Sequence, residues 1–525
     1  MKFKISNFKH LIYKNLPIIL ILVLASFLRL YRIADYMTFL GDEGRDALIV
    51  YNILHGKLTL LGPTASVGGF FLGPIYYYFM AVFTLLFNYN PVGPSVMIAL
   101  FGIVTVWLIY KVCKEFFDQN IAIIASLLYA ISPVVISYSR SSWNPNPLPF
   151  FSLLSLYVLY KAVKRESTSL FILEGLLLGI CIQLHYLTLF LIVIVAVYVI
   201  FVRFLVLNKT FLKNLYQSLK EFILIFIGFI VGWSPFLAFE IRHGFPNIKS
   251  IFNFIFSSGK TGPGQSFFST IYDVFFRLFG RLVFNFPSID QLAKYNKPTL
   301  FAWQYMILIF ALLSSVLLIK NLLQSINKNK DDLLRYGLLA IWFIVGIILF
   351  GFYKKAIYDY YFGFMFPLPF ILVAITIGSL IKVKFGKFII SIVVLALFIL
   401  NIQGVPFRYP PNRQLNQAET IAKFVLDKTN NKPFNFALIT GGNSDFAYRY
   451  FLTVWGHAPI TIQQTKDDPQ RKTITNQLLV VCESLPCQPL GNSLWDIAGF
   501  GQGDIVGSWN VSVVKVYKLV HYKSK

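Results

Sequence analysis

The run Gly41-Asp42-Glu43-Gly44-Arg45-Asp46 places three carboxylates and a guanidinium within five positions. Adjacent carboxylates raise one another's pKa, which suits one of them to act as a general base. The same spacing also fits a solvated turn in which Asp46 caps the helix that follows. Asp42, Glu43 and Asp46 together would suit Mg²⁺ or Mn²⁺. Elsewhere the sequence has no HExxH, no paired CxxC and no EF-hand loop. It also has no Walker-type loop and no Rossmann fingerprint, which disfavours a nucleotide-powered pump.

Four further clusters carry polar chemistry. The stretch 138–147 holds Arg140, Trp143 and Asn144 between two prolines and a tyrosine. Arg140 can hold a phosphate oxygen and Trp143 can stack on a sugar ring, or the tryptophan can simply sit at a membrane interface. Gln183, His185 and Tyr186 form a polar step between apolar runs, although a lone histidine there also reads as structural. Glu240, Arg242 and His243 open a long polar loop, where snorkelling is the plain alternative. Lys354, Lys355, Tyr358, Asp359, Tyr360 and Tyr361 close the set. The two lysines there suit a lipid phosphate, or a general anchor to head groups.

These clusters need a scaffold, and the composition says which kind. The chain has 525 residues, of which 56% are hydrophobic and 13% charged, about half the charged share of soluble domains. Apolar runs of roughly 17–25 residues recur, each long enough to cross hydrocarbon. The net charge of +24 is not a nucleic-acid signal, because Lys and Arg sit in short loops between those runs. Eleven spans are expected, at 16–34, 94–112, 120–138, 148–163, 169–185, 187–206, 222–238, 301–320, 335–352, 362–381 and 387–404. The first follows Lys2, Lys4, Lys9 and Lys14 with no small-residue cleavage site, so it reads as uncleaved.

An N-terminus on the cytoplasmic side puts the basic loops inside, among them the one holding Arg203, Lys209, Lys213 and Lys220. Counting 72–88 as a span would invert every later loop, so it is expected to be an interfacial or re-entrant helix on the outer face. Residues 46–55 are expected to form a shorter amphipathic helix in the same loop. The polar tail, 405–525, then lies outside as a small α/β domain, with a helix at 413–428 and β-like runs after it. The GFGQGD run at 499–504 reads as a turn. Cys113 and Cys181 read as inert, whereas Cys482 and Cys487 can pair in an oxidising compartment. No long-period repeat stands out, which weighs against an inverted-repeat transporter.

The acidic pair Asp42-Glu43 after the first span, Gly73-Pro74-Ile75-Tyr76-Tyr77-Tyr78, the step Gln183-x-His185-Tyr186 and the late Lys354…Tyr361…Pro367 stretch together resemble membrane glycosyltransferases of the GT-C fold. The resemblance is to family 39 and protein-mannosyltransferase-like proteins, with lipopolysaccharide-core and aminoarabinose transferases as relatives. It covers about 16–405 and says little about the tail. It implies an integral plasma-membrane protein with an all-α polytopic domain, 1–404, and outer loops at 35–93 and 239–300; the span count, not the resemblance, sets off 405–525 as an extracytoplasmic domain. It implies a polyprenyl-phosphate-linked sugar donor, a lipid, glycan or protein acceptor, surrounding membrane lipids, and inversion at the anomeric carbon. Asp42 is then the general base, and Glu43 an acceptor-binding or base-supporting group. Arg140, His185, Lys354, Lys355 and Tyr361 are candidates for the donor phosphate and sugar. Arg45, Asp46, Tyr77, Trp143, Asn144, Glu240 and Arg242 are candidates for acceptor or loop support. The competing expectation is a transporter or flippase of a lipid-linked saccharide.

Overall fold

A computed structural model describes residues 2–207, 210–257, 266–326 and 328–522. Lys209, part of 239–300, and the side chains of Lys2, Lys4, Lys9 and Lys14 lie outside what is described. Each of the eleven expected spans falls on a helix or a pair of helices. Among the described residues, five helices are by themselves long and apolar enough to cross a membrane: Val92–Phe116, Thr188–Val206, Phe211–Gly232, Lys297–Ser325 and Lys330–Gly351. Asp359–Met365 and Pro367–Lys382, bent by 65° at a break, make a sixth if taken as one span. Shorter apolar helices, including Gln119–Ile131 and Thr168–Leu184, pack among these. The chain is an integral, multi-pass membrane protein.

The expected span at 222–238 is displaced in the structure. Its helix starts at Phe211, and a second helix, Ser234–His243, follows the break at Trp233. The early start carries Asn214 and Glu221 into the helix, and both are buried. Pairing makes this tolerable. Arg203, 2% exposed, bonds the Glu221 carboxylate, 1% exposed, and also reaches Glu166 at 3.1 Å. Close backbone approach does the rest: a Cβ on Gly228 would lie 1.9 Å from the Ile172 carbonyl oxygen of the neighbouring helix.

The segment 35–93 carries two helices. The Tyr-rich helix, Ile75–Leu86, has 12 residues, about 18 Å at 1.5 Å per residue, too short to span. It buries Tyr76, Tyr77 and Met80. The acid helix, Gly41–Leu54, begins five residues before the expected 46–55. Its start is set by Glu43, whose carboxylate accepts the Leu40 N–H at 3.0 Å. Carboxylates in a first turn also favour the positive end of the helix dipole. The acidic cluster therefore belongs to a rigid helix rather than to a loop.

The tail contains a four-stranded sheet in the order β1-β2-β4-β3. β1 (Asn435–Ile439) runs parallel to β2 (Gln477–Cys482), while β4 (Val514–His521) pairs antiparallel with both β2 and β3 (Gly503–Val511). The turn expected at 499–504 ends in the first residues of β3. Side chains alternate across the sheet. Phe436, Leu479 and Val516 meet the helix Gln414–Thr429 on one face, and Leu478, Val480 and Leu519 meet Ile497 and Phe500 on the other. A disulfide joins Cys482 to Cys487.

The first of these faces is not closed by the tail alone. Met37, Phe39 and Ala47 from the segment 35–93 belong to the same apolar cluster. The acid helix lies against Phe446–Val454 so closely that a Cβ on Gly44 would sit 2.3 Å from the Ala447 nitrogen. The Tyr450 hydroxyl donates to the Tyr89 carbonyl at 2.6 Å, and the Arg413 N–H donates to that of Asp35 at 3.0 Å.

Two outcomes follow for stability. Glu221→Ala leaves Arg203 buried without its main partner and should destabilise the fold by about 3–5 kcal/mol in detergent melts, whereas Arg203→Met with Glu221→Leu should recover most of the loss. Gly44→Ala forces the acid helix off the tail and should cost about 1–3 kcal/mol, with faster proteolysis between 405 and 414 than in the unsubstituted protein.

Candidate active site

Asp42, Glu43, Arg45 and Asp46 face different neighbours because a helix separates them by about 100° per residue. Asp42 has 65% of its side chain exposed and accepts from Arg45 Nη1 at 2.9 Å. Arg45 turns back to Asp46 Oδ1, also at 2.9 Å. Asp46 is 1% exposed and accepts a further bond from the Tyr77 hydroxyl at 3.1 Å. Tyr77 thereby joins the acid helix to the Tyr-rich helix. Burial pushes Asp46 up to about 6, against the pull of Arg45. Burial also pushes Glu43 up to about 7; backbone N–H donors oppose the rise and the Asp42 charge adds to it.

Asp42, Glu43 and Asp46, which by residue type could hold a cation, do not converge on one point. Asp46 is spent on Arg45 and Tyr77, and among the described residues no group of three His, Cys, Asp or Glu is placed to hold a metal ion.

Asp42 and Glu43 line an open pocket of about 560 Å³ together with Ser137, Tyr138, Trp143 and Asn146. Part of its wall, 442–444, comes from the tail. A second cavity, of about 640 Å³, shares Ser137 and Tyr138 with the acid pocket and reaches Arg281, Asp359, Tyr295 and Trp303. Asp359 is fixed there by Arg277 at 2.6 Å and Arg281 at 2.9 Å.

A third cavity, of about 820 Å³, is an apolar groove walled by Phe71, Phe190, Trp233 and Phe252, with Tyr353, Lys354 and Lys355 also in its lining. An aromatic wall links the groove to the acid pocket. Trp143 lies 4.4 Å from Tyr360, and Tyr360 lies 4.6 Å from Tyr361. Tyr361 contacts Tyr353 at 5.8 Å, and the Tyr353 and Tyr186 hydroxyls bond at 2.7 Å.

Several expected ligand residues take other places. Arg140 is 1% exposed and donates to the carbonyls of Leu28 at 2.9 Å and Tyr31 at 2.7 Å, so it satisfies the end of the first helix rather than a phosphate. His185 is 4% exposed, and its Nδ1 accepts the Leu187 N–H at 3.3 Å behind the aromatic wall. Tyr361 is equally enclosed, with its hydroxyl 3.3 Å from Ser66 Oγ. Asn144 donates to the Leu184 carbonyl at 2.7 Å, tying its loop to the helix that precedes His185. Glu240 is fully buried and caps the helix Pro246–Ser257 by accepting from Asn247 and Ile248. Asn247 in turn accepts the Phe71 N–H at 2.8 Å, so Glu240 supports the groove rather than an acceptor. Arg242 is exposed on the preceding helix and lines none of the three cavities. Gln183 Oε1 accepts the Ile75 N–H at 3.2 Å and its amide donates to Gly232 O at 2.6 Å, which fixes the start of the Tyr-rich helix.

The tail residues Gly442, Asn443 and Ser444 went unread in the sequence. Gly-Gly-Asn-Ser is turn chemistry by residue type, and nothing local says which surface the turn meets.

Known proteins share parts of this arrangement. A family model described as dolichyl-phosphate-mannose-protein mannosyltransferase matches residues 72–234. A candidate mannosyltransferase of Bacillus subtilis (strain 168), YycA, is 25% identical over 31% of this chain and 23% of its own length. A second from the same organism, YkcB, is 32% identical over 18% of this chain and 13% of its own. The chain therefore spans under a quarter of the length of either relative. Among solved structures, ArnT from Cupriavidus metallidurans, bound to undecaprenyl phosphate, superposes with a TM-score of 0.59 at 13% identity, covering 96% of this chain and 98% of that one. The oligosaccharyltransferase AglB from Archaeoglobus fulgidus, in complex with an inhibitory peptide and a dolichol-phosphate, gives 0.52 at 13% identity, covering 89% and 70%. The chain has the GT-C fold of membrane glycosyltransferases, and within it residues 72–234 match the dolichyl-phosphate-mannose-protein mannosyltransferase family model.

Proposed function

We propose that the chain is a glycosyltransferase that moves a sugar from a polyprenyl-phosphate carrier to a hydroxyl group of an acceptor on the outer face of the membrane. One observation carries the reading: the acid pocket and the apolar groove with its two lysines are the two ends of one aromatic wall. An isoprenoid tail gains about 25 cal/mol for each Å² buried in such a groove. Lys354 and Lys355 are cations of the kind a lipid phosphate needs, and Tyr360 and Trp143 offer faces on which a sugar ring can rest. ArnT bound to undecaprenyl phosphate and AglB bound to a dolichol-phosphate have the same fold, which supports this class of donor.

In the reaction, the bond from the anomeric carbon to the carrier phosphate breaks and the acceptor oxygen bonds to that carbon from the opposite face. The phosphate leaves with the electron pair, and a carboxylate takes the acceptor proton. The transition state has oxocarbenium character, as in glycoside hydrolysis. We assign the base to Asp42, which projects into the pocket while Glu43 holds the helix start. The value near 7 for Glu43 favours a second assignment, with Glu43 as base and Asp42 binding the acceptor. The acceptor is a lipid, glycan or protein bearing a hydroxyl. The N-terminus then lies on the cytoplasmic side of the plasma membrane and the tail, 405–525, lies outside.

Purified protein incubated with a panel of polyprenyl-phosphate sugars should give product. Asp42→Asn should lower kcat by about 10²–10⁴-fold at unchanged expression. A base must be ionised, so if Glu43 serves, the rate falls as pH drops through about 7, and Glu43→Gln removes both that limb and the activity. An acid limb that survives in Glu43→Gln at near-normal rate leaves Asp42 as the base. Transfer undiminished in both variants removes the pair from the chemistry, and donor crossing the bilayer without product would favour a carrier instead. Lys354→Glu with Lys355→Glu should raise the donor KM by about ten-fold, near 1.4 kcal/mol, with acceptor KM unchanged.

A further inference from the structure

We propose that Asn443 is a positioning residue for the acid pocket, set by Glu483, so that the tail is a working part of the site. This rests on the reading of that pocket as the place where the acceptor hydroxyl is deprotonated.

The acid helix opens with backbone N–H groups that no turn of the helix can satisfy. The Gly41 N–H finds its partner in the tail, donating to Asn443 Oδ1 at 2.9 Å, and the Ser444 N–H donates to the same oxygen at 2.9 Å. The other end of the amide donates from Nδ2 to both oxygens of Glu483, at 3.0 and 3.2 Å. Glu483 also accepts from the Thr440 hydroxyl at 2.8 Å and from the Tyr448 hydroxyl at 2.7 Å. Every group facing Glu483 in this set is a donor, so the carboxylate fixes which way the amide points. Turned over, Asn443 would set its NH₂ against two N–H groups and its oxygen against a carboxylate. Glu483 follows Cys482 directly, and its own N–H donates to the Ile439 carbonyl at 2.9 Å, which holds it to the edge of the sheet.

The contact tolerates no slack. A Cβ on Gly41 would lie 2.0 Å from Ser444 Oγ. The loop 442–444 lines the same pocket as Asp42 and Glu43, one and two residues from Gly41. A shift of this loop therefore moves both carboxylates relative to the sugar. The carrier groove lies beyond the aromatic wall and has no lining residue from the tail. The effect belongs in kcat and acceptor use, not in donor binding.

The test is a swap. Asn443→Asp keeps an acceptor for the Gly41 N–H but faces Glu483 with a second carboxylate. It should lower kcat by about 10–100-fold at unchanged donor KM and speed hydrogen exchange of the amides at 41–44. Adding Glu483→Gln puts an amide opposite the new carboxylate. Its NH₂ can donate across to position 443 while its oxygen accepts from Thr440 and Tyr448, so the double variant should restore both readouts. Wild-type kcat in Asn443→Asp, a loss confined to donor KM, or no recovery in the double variant at wild-type expression would each overturn the proposal. If Asn443→Asp alone does not accumulate, the double variant compared with Glu483→Gln carries the test: a folded double variant with wild-type kcat supports it, and a folded but inactive one overturns it. No transfer by the unsubstituted protein would sink the functional reading instead, and the exchange arm would then still report whether Asn443 orders the acid helix.

Discussion

A buried carboxylate near hydrocarbon is costly unless it is bonded, and Asp46 is the group on which the placement of the acid helix turns. Arg45 and Tyr77 both hold it, and each connects it to something else. Arg45 carries the bond onward to Asp42 in the open pocket. Tyr77 stands on the helix whose first turn is fixed by Gln183, at the end of a bundle helix. One satisfied charge thus locks the acid helix to the membrane bundle. It also sorts the cluster: the innermost acid is bonded inside the fold, and the two nearer the helix start line the open pocket.

The opposite side of the acid helix is held by contact rather than charge. Gly44 meets the backbone at Ala447, and Gly41 meets Ser444, with no room for a side chain at either. Met37, Phe39 and Ala47 complete the tail's apolar cluster. The helix is a rigid slab between two bodies, which fits the need of a displacement reaction for a base held within about 0.5 Å of its working position.

Much of this was legible in the sequence, for a physical reason. Apolar runs, basic loops and the short β-like runs of the tail are local patterns, so the bundle, the short helix near 72–88 and the small sheet could be read directly. The acidic pair stands out by residue type too, and it lines the pocket. What failed depended on partners far along the chain. Arg140 looked like a phosphate ligand, and only the fold shows it bonded to carbonyls more than a hundred residues earlier. Glu240 and His185 read by residue type as candidate ligands, and both accept bonds from residues a few positions along the chain. Asn443 lies 402 positions from the amide it satisfies, and no periodicity or composition reports such a pairing.

The central claim is that the apolar groove and the acid pocket are two ends of one site. A cryo-electron microscopy structure with a bound polyprenyl phosphate tests it most directly. The account predicts an isoprenoid tail along Phe71, Phe190 and Phe252, with the phosphate beside Lys354 and Lys355 and its sugar-bearing oxygen turned along the aromatic wall toward Asp42. A carrier lodged elsewhere on the bundle, or one whose phosphate faces away from Tyr360 and Trp143, would contradict it.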